Sequence, residues 1–352
     1  VSIASLYFAF PGRLETLTGG YLYDQQLIQG LRQLGLEVTT LSLSGRFPFP
    51  DQQALQEARE ALTALPDDAL VIIDGLALGA FDEAALAPLD TKRLRVIALC
   101  HHPLALESGL DHVQQRCFQR SEQRALQAAR AVLVTSDHTR RILITQFAVP
   151  PEKVTVARPG TARVPFARCE GQPPRLLALA SLTRRKGHDV LIDALAPLRH
   201  LPWQARFVGG RGFDPAWSDE LQRQVNRLAL HSRIDFVGAV ENAQAEFQHA
   251  DLFVLPSRYE GYGMVFAEAL AAGLPIVAAR VGAVPDVVPE SAGLLVPPDN
   301  VEALTAALHS LLTSEDLRRQ LRAGAREVAG SLPTWADTAA CAADVFEEIA
   351  LS

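Results

Sequence analysis

Several features that would settle the class of this 352-residue chain at a glance are missing from it. No apolar run reaches the roughly 18 residues a membrane-spanning helix requires, and the first residues lack the basic-then-apolar layout of a secretory leader. Those absences predict a cytoplasmic protein without a transmembrane segment, although peripheral contact with a membrane stays open. Basic charge is not in excess: the formal net charge is -7, so the surface does not advertise the phosphate-neutralising patch that nucleic acid requires. Four cysteines, Cys100, Cys117, Cys169 and Cys341, never fall at C-x-x-C spacing. That removes the usual zinc and disulfide frameworks and leaves them to be read as buried thiols. There is no G-x-G-x-x-G, since "VGGRG" has the wrong spacing, and no G-x-S-x-G or G-x-x-x-x-G-K-[ST]. Nicotinamide dehydrogenase, hydrolase and P-loop readings therefore go unsupported. A D-x-D for a metal-held diphosphate is also absent, and "PDD" at 66–68 reads as a turn. No metal site is expected.

What is present points to an α/β protein. With 48% hydrophobic and 21% charged residues, a chain this long implies about two domains. Short, nearly unbroken apolar runs, "SIASLYFAF", "ALVIIDG", "LRVIALC", "RAVLVTS", "RLLALAS", "QARFVGG", "DLFVLPS" and "LPIVAA", alternate with longer helical periods. Runs of that kind are strands covered on both faces, as in parallel sheets. The rhythm breaks at residues 149–174, where prolines cluster, and the interdomain crossing is expected there. Each half opens with a β-loop-α-β unit, so the prediction is two doubly wound, Rossmann-like domains facing across a cleft. The first spans 1–165 and the second 166–334. The last segment, 335–352, is amphipathic, with Trp335, Val345, Phe346 and Ile349 as candidate buried positions, and it either caps its own domain or crosses back to the amino-terminal one.

The stretch "DLFVLPSRYEGYGMVFAEALAAGLPIVAARVGAVPDVV", 251–288, carries the functional reading. A buried strand passes through a glycine-containing loop into a helix that Gly273 ends. In an open α/β sheet such a loop lies where ligands bind. The first amides of the helix lack intrahelical partners and sit at the positive end of its dipole, so Gly263, Met264 and Val265 suit a diphosphate. Glu268, one turn further, can reach back past the phosphates to a ribose diol, and Glu260 brackets the other side. Either glutamate alone would pass for an ordinary surface charge, but the neighbouring helix positions are small or apolar, which argues against a free surface face.

That stretch, with "AGLLVPPDN" after it, closely resembles the E-x7-E region of the retaining GT-B glycosyltransferases grouped as family 4. The resemblance covers most of the carboxyl-terminal half. It implies that Glu260 lies near the transferred sugar and Glu268 holds the ribose of a nucleotide sugar. "ASLTRRKGHDVLIDAL" is similar to the segment in which such enzymes aim an arginine and a lysine at the diphosphate. Lys186 matches the lysine, whereas Ser181 stands at the arginine position, with Arg184 and Arg185 as the nearby substitutes. In the amino-terminal half, "LTGGYLYDQQL" puts Gly19 and Gly20 just before a helix and resembles the family's glycine loop. "VIALCHHPLALESG" ends a strand with two histidines. The family carries a sugar-contacting histidine near this point, for which His102 is the preferred match and His101 stays open.

The resemblance thus implies a hexosyltransferase that takes a UDP- or GDP-type sugar as donor substrate, uses no further cofactor, and serves a saccharide, lipid-linked or small-molecule acceptor. Two other readings remain at this level: a sugar-nucleotide epimerase of GT-B type, which would convert the donor without an acceptor, and a binding subunit that keeps the nucleotide site but turns over weakly. The arginines along "RCFQRSEQRALQAAR" read as a solvated helix face, because acidic residues balance that half.

Overall fold

The computed structural model describes residues 6–16, 18–90, 94–107 and 109–351. Residues 2–5 of the first expected strand, Leu17 of the glycine segment, Ser108 of the histidine segment and the terminal Ser352 lie outside the described residues.

Two six-stranded, all-parallel sheets form the framework. The first contains β1 (Leu6–Pro11), β2 (Val38–Leu43), β3 (Leu70–Asp74), β4 (Arg95–Cys100), β5 (Ala131–Val134) and β6 (Val154–Val156), in the order β2-β1-β3-β4-β5-β6. The second contains β7 (Arg175–Leu179), β8 (Gln204–Val208), β9 (Ile234–Gly238), β10 (Leu252–Leu255), β11 (Ile276–Ala279) and β12 (Gly293–Val296), in the order β12-β11-β10-β7-β8-β9. The inner strands β3, β5, β10 and β11 are buried along their whole length, which is why they read as unbroken apolar runs. Segment 149–174, expected to be pure crossing, supplies the short edge strand β6. This is the two-domain Rossmann-like architecture of the GT-B fold.

The chain divides into a unit of residues 1–160 with 333–352 and a unit of residues 161–332. Residues 161–165 thus group with the second unit, and the last helix groups with the first. Five helices position the residues of interest: α1 (Gly19–Gln33), α2 (His112–Ala128), α3 (His188–Leu195), α4 (Met264–Ala271) and α5 (Trp335–Leu351). In α5, Val345, Phe346 and Ile349 are buried and Trp335 is half-buried. This helix lies so close on α1 that a Cβ added to Gly30 would come within 2.6 Å of the Ala339 Cβ. Arg95 closes its far end by donating from Nη1 to the carbonyls of Ile349 (3.0 Å) and Ala350 (2.9 Å), satisfying acceptors that a helix terminus leaves open.

Candidate active site

In a doubly wound sheet the ligand crevice forms where the strand order reverses direction. In the second sheet that point lies between β7 and β10, and the loops leaving these two strands carry the expected donor-binding residues. The loop after β7 runs from Ser181 to Gly187 and enters α3; the loop after β10 runs from Pro256 to Gly263 and enters α4. Tight backbone approach locks the two together. Gly187 has φ +69°, and a Cβ there would lie 2.1 Å from the Pro256 carbonyl oxygen. From the loop after β11, Gly282, with φ +52°, closes on the second of these loops, since its Cβ would meet the Glu260 carbonyl oxygen at 2.1 Å. Only glycine fits either position.

Glu260 is buried and bound to two cations of the neighbouring loop. Lys186 Nζ donates to its Oε1 at 2.6 Å and Arg185 Nη1 approaches Oε2 at 3.4 Å. Burial by itself would raise the pKa of this carboxyl, but Lys186 and Arg185 outweigh it and hold Glu260 below its ordinary value. Glu260 is therefore a carboxylate at neutral pH. The lysine expected to face a diphosphate is held by that glutamate, and Arg185 joins it. Arg184 does not, since its guanidinium lies over the Trp217 ring (4.1 Å) and near Asp214 (3.8 Å). Ser181 brings a hydroxyl where the family pattern has a guanidinium.

Gly263 caps α4 with φ +87°. The Phe266 amide already turns back to the Gly263 carbonyl at 2.9 Å, so the amides ahead of it, at Gly263, Met264 and Val265, have no acceptor within the helix. At its other end α4 closes with a Schellman turn: the amides of Gly273 and Leu274 donate to the carbonyls of Leu270 (2.8 Å) and Ala269 (3.0 Å). Glu268 lies on this short, largely buried helix. No hydrogen bond or ion pair to its carboxyl occurs among the described residues, and burial pushes its pKa up to about 7. The two glutamates of the E-x7-E spacing thus differ: one is clamped by cations, the other is desolvated and unpaired.

In the first unit the strand order reverses between β1 and β3. Gly19 and Gly20 form the first turn of α1, not the loop before it, and Thr18 is the cap, its hydroxyl accepting from the Tyr21 amide at 3.5 Å. His101, immediately after β4, lies against Gly20, whose added Cβ would be 3.5 Å from the ring Cδ2. Its Nε2 faces two buried carboxylates, Asp24 Oδ1 at 3.1 Å and Asp74 Oδ2 at 3.3 Å. Burial would lower the pKa of this imidazole, yet Asp24 and Asp74 raise it to about 10. His102 instead pairs through Nε2 with Glu107 Oε2 at 2.7 Å. The turn after the histidines is fixed by Glu122 of α2, which accepts from the amides of Leu104 (2.6 Å) and Ala105 (2.9 Å). The structure therefore brings His101 to the glycine turn and His102 to Glu107.

Sequence reasoning misses Asp24, Asp74 and Glu122. A signal exists for Asp24, because it sits in phase with Tyr23, Leu27, Ile28 and Leu31, the buried face of α1, where a lone carboxylate is out of place. Asp74 ends a wholly apolar strand, at the position from which a side chain reaches the ligand end of the sheet. The arginines of α2 behave as expected: Arg116, Arg120 and Arg124 are exposed.

Comparison with known proteins agrees with this class. Residues 166–328 match the family Glycosyl transferases group 1 and residues 22–160 match the Glycosyl transferase 4-like domain. The chain is 32% identical over 250 residues to a D-inositol 3-phosphate glycosyltransferase from Jonesia denitrificans, covering 64% of this chain and 58% of that one. The match thus spans less than two thirds of that relative's length. Among solved structures, sucrose-phosphate synthase from Thermosynechococcus elongatus superimposes with a TM-score of 0.83 at 22% identity, over 99% of this chain and 100% of that one. Anabaena Alr3699/HepE in complex with UDP-glucose gives 0.74 at 18% identity, over 98% and 99%. The fold is that of GT-B proteins, and the two matched segments are similar to domains of the group 1 glycosyltransferases. Among the described residues no helix is long and apolar enough to cross a membrane.

Proposed function

We propose that the protein moves a sugar from a nucleoside-diphosphate sugar of UDP or GDP type to an acceptor hydroxyl, with retention of anomeric configuration and without a metal. One observation carries this reading: Lys186, Arg185 and Glu260 gather beside the amino-terminal end of α4, and an unpaired, desolvated Glu268 lies one turn further along the same helix. The glycosyltransferase name of the Jonesia relative and the UDP-glucose complex of the structural neighbour support the donor class.

The chemistry follows from charge. As the bond from the anomeric carbon to the diphosphate breaks, negative charge grows on the leaving oxygens. The amides of Gly263, Met264 and Val265 and the Lys186 ammonium are fixed positive groups for it, a preorganised electrostatic contribution that needs no metal. Glu260, kept ionised by its two cations, is a poor proton donor and serves to hold Lys186 and orient the sugar. Glu268 accepts from the ribose diol. The acceptor oxygen attacks the face the diphosphate leaves and gives its proton to a diphosphate oxygen, which preserves configuration. Saccharides, lipid-linked sugars and small alcohols all meet the requirement for an acceptor.

The test is to incubate the protein with UDP-glucose and GDP-mannose in EDTA and follow the released sugar by proton NMR. Formation of the α-anomer first is the expected result. Initial release of the β-anomer would overturn retention, and abolition of turnover by EDTA would overturn metal independence.

A further inference from the structure

The cluster around His101 bears on how a transferase of the proposed kind would use the histidine. We propose that Asp24, seconded by Asp74, is a positioning residue that keeps His101 as an imidazolium and leaves its Nδ1–H as a fixed hydrogen-bond donor to a substrate oxygen at the Gly19–Gly20 turn, so that His101 orients substrate and does not act as a base.

Geometry and charge balance both lead there. Asp24 and Asp74 are 0% and 1% exposed, and both lean on the same ring nitrogen, Nε2. The charges acting most strongly on Asp24 are Asp74 and His101, and those on His101 are Asp24 and Asp74. Among the described residues no Lys or Arg pairs with Asp24, Asp74 or His101. From α1, the Tyr21 hydroxyl donates to the Pro11 carbonyl (2.6 Å) and the Tyr23 hydroxyl to the Ala157 carbonyl (2.9 Å). From β4, the Cys100 thiol is pushed well up by burial, and from α5, Cys341 is also raised by burial, so both stay neutral. A neutral imidazole would leave two buried carboxylates with no counter-charge, the arrangement that burial penalises most. Asp24 Oδ2 has no hydrogen-bond partner among the described residues, and burial pushes this carboxyl up to about 7, as suits an acid sharing a proton with its neighbour.

A single carboxylate behind a histidine ordinarily makes the opposite nitrogen a base. The second carboxylate changes that role, because it stabilises the charged ring over the neutral one. Since Nε2 is taken by the two acids, Nδ1 is the nitrogen left for a ligand. The Tyr23 ring, edge-on at 5.2 Å between centroids, and Gly20 restrict how the imidazole can turn.

The decisive measurement is the protonation state of His101 in the full chain labelled with 15N-histidine, its signal assigned by loss in His101→Gln and followed by NMR from pH 6 to 9.5 without substrate. Both ring nitrogens should stay protonated to at least pH 8.5. Asp24→Asn should move the titration down by at least one pH unit, and Asp24→Glu should restore most of it. A neutral ring at pH 7.5 in the parent protein, or an unmoved titration in Asp24→Asn, would overturn the proposal. Displacement of the ring proton by micromolar Zn2+ or Mn2+ would do the same, by making the cluster a cation site. If Asp24→Asn does not fold, the parent titration still decides, with Asp74→Asn as the second variant. In turnover of UDP-glucose or GDP-mannose, the alkaline limb of kcat/KM should move down with the ring titration in Asp24→Asn. Absence of turnover with every donor, together with a protonated ring, would count against the transferase reading and leave the charge of His101 standing.

Discussion

Glu260 in the second unit and the buried acids Asp24 and Glu122 in the first are treated in opposite ways. In the second, Glu260 receives two cations and is held below its ordinary pKa. In the first, Asp24 and Glu122 are both pushed up to about 7 by burial, Asp24 beside a histidine and a second carboxylate, Glu122 among backbone amides. The difference teaches what each site is prepared for. A carboxylate already neutralised by Lys186 and Arg185 forms a compact group that, in the proposed transferase, the donor diphosphate would enter by competing for the cations. Glu122, held by backbone amides, has its pKa raised by burial instead, and its effect on stability runs the other way with pH.

That contrast can be broken or sharpened by experiment. The largest effect is expected at the glycine contacts: Gly187→Ala places a Cβ against the Pro256 carbonyl at a positive φ, and should cost at least about 3 kcal/mol of stability, read by urea unfolding. Next comes Glu122→Gln. Because the folded pKa of Glu122 is raised to about 7, its contribution is full below the unfolded value of roughly 4.3 and is lost as pH rises through the folded one. The parent should therefore lose up to about 3 kcal/mol between those limits, since each tenfold change in proton affinity is worth about 1.4 kcal/mol. The variant's melting temperature should depend less on pH across that window. Glu260 has the opposite sign: its lowered pKa gives stability that is present above the unfolded value and lost as pH falls through the folded one.

Lys186→Ala should slow turnover at least about tenfold, about 1.4 kcal/mol of barrier; unchanged kcat in a folded variant would contradict its part in leaving-group stabilisation. For Glu268, binding of UDP or GDP should strengthen by at most about tenfold from pH 6 to pH 8 as its carboxyl ionises. Calorimetry on Glu268→Gln should find that dependence gone. The smallest effect is expected at Gly20→Ala, whose Cβ would make ordinary contact with His101 at 3.5 Å. Stability should change by no more than about 0.5 kcal/mol, in contrast to Gly187.

How much of this is legible in the sequence depends on where a residue's partners lie. The interior strands are readable because both faces are covered, so composition alone marks them. β9 and β12 do not stand out, and β6 falls inside a proline-rich stretch; all three are edge or near-edge strands whose residues are partly exposed, and the apolar signal fades with the covering. The loop into α4 is readable because strand, glycine and helix are contiguous. The Lys186–Glu260 pair spans 74 positions and the Asp24–His101 pair 77, and no local pattern announces such pairings. The sequence favours His102 over His101, but two adjacent histidines look alike there. In the fold they take different acids, and His101 lies against Gly20 of the glycine turn.

The docking of α5 on α1 sets an order of events for a nascent chain. Residues 161–332 form a unit from one continuous stretch, so it can close while synthesis is still under way. The amino-terminal unit must wait, because the groove beside Tyr23 and Gly30 is filled by Trp335 and Ala339, which are made only after the second unit. Of the two units, the one begun earlier is thus completed later, and a ribosome stalled before Pro333 would display that groove to chaperones.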